Sequence, residues 1–149
     1  MIAEDQAQEF EAHKQEVYRL FKEAITTDIW SNFEDIAKII FVAVDDNLTI
    51  YVEGEIMHAD WFTQDLREQL VMALMPIKRM SSDEVYGSWI SAEMIVDHEH
   101  DKGLFFFNYD EFLPGRMEKY TATNYQRELE FFPRKDAGVP EWMKKKLED

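Results

Sequence analysis

A run of histidines and carboxylates is the part of the sequence that most suggests metal binding. Asp97-His98-Glu99-His100-Asp101 places two imidazoles one residue apart among three acids. Imidazole and carboxylate groups are common ligands of first-row metals. The run lies in a polar turn that ends at Lys102-Gly103, however, and the sequence supplies no further ligand elsewhere. A solvated turn is therefore the favoured interpretation, and a metal-binding enzyme that uses His98 and His100 is the alternative.

Other reactive groups lack the neighbours that catalysis requires. Asp45-Asp46-Asn47 resembles a fragment of a calcium loop, but it lacks the glycine and the bidentate glutamate of such a loop. No serine or threonine lies in a glycine elbow, no glycine-rich loop can cradle a phosphate, and there is no cysteine. The pair Asp110-Glu111 is more typical of a turn than of acid–base catalysis. The sequence therefore predicts no enzymatic activity, no cofactor and no resident metal.

Net charge is the strongest signal in the composition. The chain holds 31 acidic and 16 basic residues, which gives a net charge of −15. Residues 83–111 contain eight acids and one base, Lys102. Such a charge repels nucleic acid and anionic membranes, and it accelerates the approach of cationic proteins. The acidity favours a protein partner, and a contribution to solubility alone is the alternative explanation.

Length and hydrophobic content predict one domain over residues 1–149. A chain of 149 residues is close to the usual domain size, and 46% hydrophobic residues with 14% aromatics can fill a core. The N-terminus is acidic and lacks the apolar stretch of a signal peptide. The longest apolar run, Ile36–Val44, is far shorter than the ~20 residues of a membrane-spanning helix. We therefore expect a cytoplasmic protein, in agreement with the absence of cysteine.

The pattern of apolar residues predicts helices and strands in alternation. Spacings of three and four predict helices at about residues 5–26, 61–75 and 123–132, and a short turn or helix follows at about 141–147. Pro76 is expected to end or kink the second helix. Strand-like runs at about 36–44, 48–57, 86–96 and 104–109 are joined in pairs by polar turns. This order predicts an α+β fold: a four-stranded antiparallel sheet built of two hairpins, with helices packed on one face.

Two kinds of surface residue are candidates for binding a partner. Exposed aromatic residues are frequent in protein interfaces. Phe105, Phe106 and Phe107 alternate between the two sheet faces. Together with Trp89 they could form an aromatic patch on the open face of the sheet. The alternative is a thicker core covered by the C-terminal segment. The patch would also include Tyr51 and Tyr109, and it would suit a regulatory adaptor. The acidic candidates are carboxylates of both hairpins: Glu53, Glu55, Glu93, Asp97, Glu99, Asp101, Asp110 and Glu111.

The second hairpin resembles a known family. Phe105-Phe106-Phe107-Asn108-Tyr109-Asp110, preceded by Trp89 in the partner strand, is similar to the W…F-N-Y-D/E signature of YezG-like antitoxins. Those proteins are immunity partners of secreted polymorphic nuclease toxins. The hairpin around Val42–Asp46 and the ending Gly138–Trp142 are also similar, and the resemblance spans roughly residues 12–142.

The resemblance implies a binding function. It predicts a cytoplasmic immunity protein, monomeric or homodimeric, that neutralises a cognate toxin with a basic nuclease domain, and it transfers no catalytic residue. The sequence departs from the family in two places. The loop before Trp89 is shorter, and Phe131-Phe132-Pro133-Arg134 is closer to other bacterial immunity proteins. The identity of the toxin is therefore left open.

Overall fold

The computed structural model describes residues 4–24, 36–52, 55–56, 64–97 and 102–149. These residues form helices and strands in the following order: α1 (Glu4–Ala24), β1 (Ile36–Val44), β2 (Asn47–Val52), β3 (Glu55–Ile56), α2 (Gln64–Met80), β4 (Ser91–Asp97), β5 (Lys102–Asn108), α3 (Ala122–Phe131) and α4 (Glu141–Glu148). The strands form one antiparallel sheet in the order β3-β2-β1-β4-β5. None of the described helices is long and apolar enough to cross a membrane.

The predicted α+β fold, with an antiparallel sheet built from the hairpins β1–β2 and β4–β5, is confirmed. The structure adds two details to that prediction. The two-residue strand β3 extends the sheet beyond β2, so the sheet has five strands among the described residues. Helices pack on both faces and not on one face as predicted, because β1 carries apolar side chains on both sides and each side needs a cover.

The first face of the sheet is covered by α1 and α2. Phe21 of α1 and Leu70 of α2 are fully buried against Ile39 and Phe41 of β1 and against Trp89. Burial of large apolar side chains such as these stabilises the fold by roughly 1.5–3 kcal/mol each. This face therefore forms one core between the sheet and the two N-terminal helices.

The second face is covered by the C-terminal segment, defined as residues 109–149. Val42 and Tyr51 of the sheet pack with Met117, Tyr125 and Met143 of that segment, and all five are buried. Tyr51 is therefore covered by this segment, as the thicker-core interpretation predicted, whereas Trp89, Phe105 and Phe107 pack on the first face.

The alternative prediction, a patch of aromatic residues on an open sheet face, is wrong for most of the residues proposed. Trp89 is buried in the first core, and Tyr51 is buried in the second. Of the three consecutive phenylalanines, Phe106 is exposed (56%), whereas Phe105 and Phe107 are partly buried against the first core.

Two element boundaries differ from the predicted ones. Helix α2 continues through Pro76 to Met80, since Ile77 and Lys78 beyond the proline are both fully buried. Their packing outweighs the one helical hydrogen bond that proline removes. The predicted strand over residues 86–96 begins only at Ser91, because Asp83 and Gly87 pair their backbones and close a turn in which Gly87 has φ +66°.

A buried ionic cluster joins the two layers at one end of the sheet. Lys78 of α2 and Glu128 of α3 are 0% and 1% exposed, and Lys78 Nζ lies 2.9 Å from Glu128 Oε1. Lys78 Nζ also donates to the Ala43 carbonyl at 2.6 Å, and Glu128 Oε1 accepts the Asp45 backbone N–H at 2.8 Å. The Asp45 carboxylate is buried and pairs with Arg127 at 3.4 Å. Burial lowers the pKa of Lys78, and Glu128 opposes that shift.

Gly138 lies where the C-terminal segment touches the loop before β4. A Cβ atom at Gly138 would come within 1.9 Å of the Val85 carbonyl oxygen. The Gly138 N–H donates to the Lys135 carbonyl, and the Gly138 carbonyl accepts from Arg134 Nη1 at 2.9 Å. Only glycine allows this close approach of two backbone segments.

The buried Tyr125 predicts a loss of stability in alkali. Its hydroxyl donates to the Met117 carbonyl at 3.2 Å, and burial raises its pKa above the ordinary value of 10.0. The unfolded chain therefore loses this proton first, so stability is fully present below pH 10 and falls as the pH rises further. One such tyrosine contributes a slope of about 1.4 kcal/mol per pH unit.

We expect Tyr125→Phe to remove that part of the slope, as measured by urea unfolding at neutral pH and at several values above pH 10. The lost hydrogen bond should cost about 1 kcal/mol at neutral pH. Equal alkaline slopes in the variant and the wild type would contradict this assignment.

Candidate protein-binding cleft

A cleft of about 730 Å³ opens where β5 ends and α1 passes over the sheet. Its floor is aromatic. Phe107 of β5 stacks on Trp89 with ring centroids 5.6 Å apart, and it meets Phe10 of α1 at 6.1 Å. The hydroxyl of Tyr109 donates to the Ser81 carbonyl at 2.6 Å, which fixes the ring at the side of the cleft.

The wall of the cleft is the loop over residues 81–87. The Asp83 carboxylate accepts the backbone N–H groups of Val85 and Tyr86 at 2.8 and 2.9 Å. These two hydrogen bonds lower the pKa of Asp83, so the side chain is negatively charged at neutral pH. Tyr86 is 46% exposed beside it and presents an aromatic surface to solvent.

Asp110 and Glu111 also line the cleft and form its rim, and their side chains are exposed. Asn108 holds the turn on both sides, because its Oδ1 accepts the Glu111 N–H and its Nδ2 donates to the Glu111 carbonyl, each at 2.8 Å. Trp142 Nε1 donates to the Asp110 carbonyl at 2.7 Å. The backbone that carries the two carboxylates is thus fixed by side chains from two other elements.

Arg134 links this rim to the wall. Its Nη2 donates to the carbonyls of Tyr109 at 2.6 Å and Ser88 at 3.0 Å, while Nη1 donates to Gly138. A guanidinium group presents several donors in fixed directions, so one side chain can hold three backbone segments together. The cleft is therefore shaped before any ligand arrives.

The arrangement is suited to a cationic side chain of another protein. Carboxylates bind arginine and lysine through short, charge-assisted hydrogen bonds, and aromatic ring faces attract the same cations. Three carboxylates, of Asp83, Asp110 and Glu111, surround an aromatic floor, and no basic residue lines the cleft among the described residues.

The structure places the predicted acidic residues in several different regions. Asp110 and Glu111 line the cleft. Glu93, in the middle of β4, instead pairs with Lys38 at 3.4 Å. Asp97 ends β4, at the opposite end of the hairpin from the cleft, and Glu55 belongs to β3 at the far edge of the sheet. The predicted residues therefore do not form one continuous surface among those described.

Several of the predicted residues cannot be compared with the structure. Glu53, Glu99 and Asp101 lie outside the described residues, as do His98 and His100. Elsewhere in the chain, the described ranges contain no group of three or more histidine, cysteine or carboxylate residues that could hold a metal ion. The interpretation of the histidine run as a turn remains a prediction.

Sequence reasoning missed the wall of the cleft. Asp83 was not among the predicted acidic residues, and Tyr86 fell within the predicted strand over residues 86–96. An aspartate two and three residues before backbone donors is the pattern of an Asx turn, so Asp83 carried a local signal for the loop. The approach of Phe10 depends on packing between distant elements, and no local pattern indicates it.

Comparisons with the models of known protein families, with curated proteins and with solved structures found no match.

Proposed function

We propose that this protein is an immunity protein or antitoxin that binds and neutralises a cognate secreted toxin, and that the toxin inserts a basic side chain into the cleft. The carboxylate rim around the aromatic floor is the observation that carries this proposal. The resemblance of the second hairpin to YezG-like antitoxins supports the same function. A nuclease toxin is the expected partner, because enzymes that bind polyanions expose cationic surfaces.

Charge acts at two distances in this proposal. The net charge of −15 attracts a cationic protein from afar and raises the association rate. The fixed carboxylates of the cleft then select the bound orientation. Because their turn is already held by Asn108 and Trp142, little conformational freedom is lost on binding.

The first test is co-expression with the product of the adjacent open reading frame. Cell survival should depend on this protein, and the purified pair should form a complex that weakens as the salt concentration rises. A toxic neighbour that is neither bound nor neutralised would overturn the proposal.

The cleft is tested by neutralising two rim carboxylates, in the variant Asp110→Asn/Glu111→Gln. We expect the affinity for the toxin to fall about tenfold or more, chiefly through loss of charge-assisted hydrogen bonds. The matched control is Asp136→Asn/Glu141→Gln, which removes the same charge from exposed positions near Lys144. The control should bind within about threefold of the wild type if position matters more than total charge. Equal losses in both variants would assign the effect to net charge and exclude the cleft.

A regulatory adaptor is the second candidate function, and it uses a different surface. Leu104 and Phe106 of β5 are 50% and 56% exposed on an edge strand. Exposed large apolar groups of this kind mark protein-binding sites. Replacement of both by serine should abolish partner binding for an adaptor and leave toxin neutralisation intact for an immunity protein. The two functions therefore give opposite results with this variant.

A further inference from the structure

A second concave site has the opposite charge to the cleft. A cavity of about 380 Å³ lies beside the β1–β2 turn, between the start of α2 and the start of α3. Arg67 of α2 and Lys119 both line it. In a chain with twice as many acids as bases, two cations that share a cavity call for a physical explanation.

Both cations are held in place by consecutive residues of β2. Arg67 Nη2 donates to the Leu48 carbonyl, and Lys119 Nζ donates to Thr49 Oγ1 at 2.5 Å. Thr49 Oγ1 in turn lies 3.3 Å from the Tyr120 hydroxyl. Each of these contacts uses one donor of the cation, so the guanidinium group and the ammonium group keep further N–H donors for a ligand.

Neighbouring acids do not neutralise the pair. Within the described part of the chain, neither Arg67 nor Lys119 forms an ion pair with a carboxylate. Burial lowers the pKa of Lys119, and repulsion by Arg67 lowers it further. One carboxylate, that of Asp46, lines the same cavity, so the local charge is +1.

We propose that this cavity binds an oxyanion of the phosphate class, either free or carried on a small organic molecule. An anion between Arg67 and Lys119 would relieve their repulsion and satisfy their remaining donors. The amide of Asn124, in the first turn of α3, also lines the cavity and has N–H groups to offer. Acids more than about 8 Å from the cavity oppose binding only weakly, because charges at that distance are largely screened at physiological ionic strength.

The proposal is tested by NMR titration of the full chain with inorganic phosphate and, separately, with glycerol 2-phosphate, at constant ionic strength against chloride. We expect saturable shifts confined to amides around the cavity, such as those of Asn47–Thr49 and Lys119–Asn124. Arg67→Gln and Lys119→Gln should each weaken binding about tenfold. Arg67→Lys, which keeps the charge, should retain more of the affinity than Arg67→Gln.

The control is Arg79→Gln, which removes an exposed base at the other end of α2 and should bind as the wild type does. Equal affinities for the two probes indicate a site for free phosphate, and tighter binding of the monoester indicates an organic phosphate. Absence of saturable shifts in the wild type, or equal affinities in the wild type and both glutamine variants, would overturn the proposal. Because the cleft is not involved, this result is independent of toxin binding.

Discussion

Lys78→Met is expected to lower the free energy of unfolding by about 3–5 kcal/mol. The substitution keeps the length of the side chain but removes the only cation within hydrogen-bonding distance of the buried Glu128 carboxylate in the described structure. A charge left unpaired in the interior is far more costly than the loss of an exposed ion pair. It would also remove a donor from the Ala43 carbonyl, near the end of the central strand β1. Urea unfolding followed by circular dichroism measures the difference.

The matched control for this substitution is Lys144→Met. Lys144 also pairs with carboxylates, at 3.6 and 3.8 Å from Asp136 and Glu141, but those partners are exposed. The control should therefore cost less than about 1 kcal/mol. If Lys78→Met were as mild as Lys144→Met, the buried cluster would not stabilise the fold in the way described here.

Gly138→Ala is the second substitution with a large expected effect, at about 3 kcal/mol. The new methyl group would collide with the Val85 carbonyl oxygen, which belongs to the backbone. The position of the methyl group is itself fixed by the backbone, so neither group can rotate away. Relief requires the 3₁₀ turn at Asp136–Gly138 to move off the loop before β4. That movement would also disturb Arg134, which bonds the Gly138 carbonyl.

Gly115→Ala separates this collision from a general effect of replacing glycine. Gly115 has φ +82°, which an alanine adopts only with strain, but no atom lies within 4 Å of a Cβ placed there. Strain alone should cost about 1–2 kcal/mol. Thermal and urea unfolding of both variants give the comparison. A Gly138→Ala protein no less stable than the Gly115→Ala protein would contradict the larger cost expected from the close approach to Val85.

The predictable part of the fold was the part encoded in local patterns. Three-to-four spacings located the described α-helices, although α2 ends five residues later than predicted. Thr121, a residue type that favours the N-cap position, caps α3 and accepts from the Asn124 N–H in a capping box. The Asp45-Asp46 turn was likewise predicted from its residue types. These features depend on neighbours in the sequence, so the sequence alone reveals them.

The features that were missed depend on distant contacts. Pro76 reads locally as a helix end, yet burial of Ile77 and Lys78 carries the helix onward. Lys78 itself reads as a surface residue, and only Glu128, fifty residues later, explains its burial. For the candidate cleft, Asp110 and Glu111 were identified by charge, whereas Asp83 and Phe10 join them only through tertiary packing.

The two-sided burial of β1 has a consequence for how the sheet finds its correct pairing. Ile39, Phe41 and Ala43 face one core while Ile40, Val42 and Val44 face the other, so a strand shifted by one residue would still bury apolar groups on both sides. Hydrophobicity alone therefore does little to exclude misaligned pairings. The register of β1 is instead determined by polar contacts at the end of the strand. Glu128 accepts the Asp45 N–H, and Lys78 donates to the Ala43 carbonyl. Two side chains outside the sheet thus favour the native register of β1, because a shifted strand would lose both hydrogen bonds.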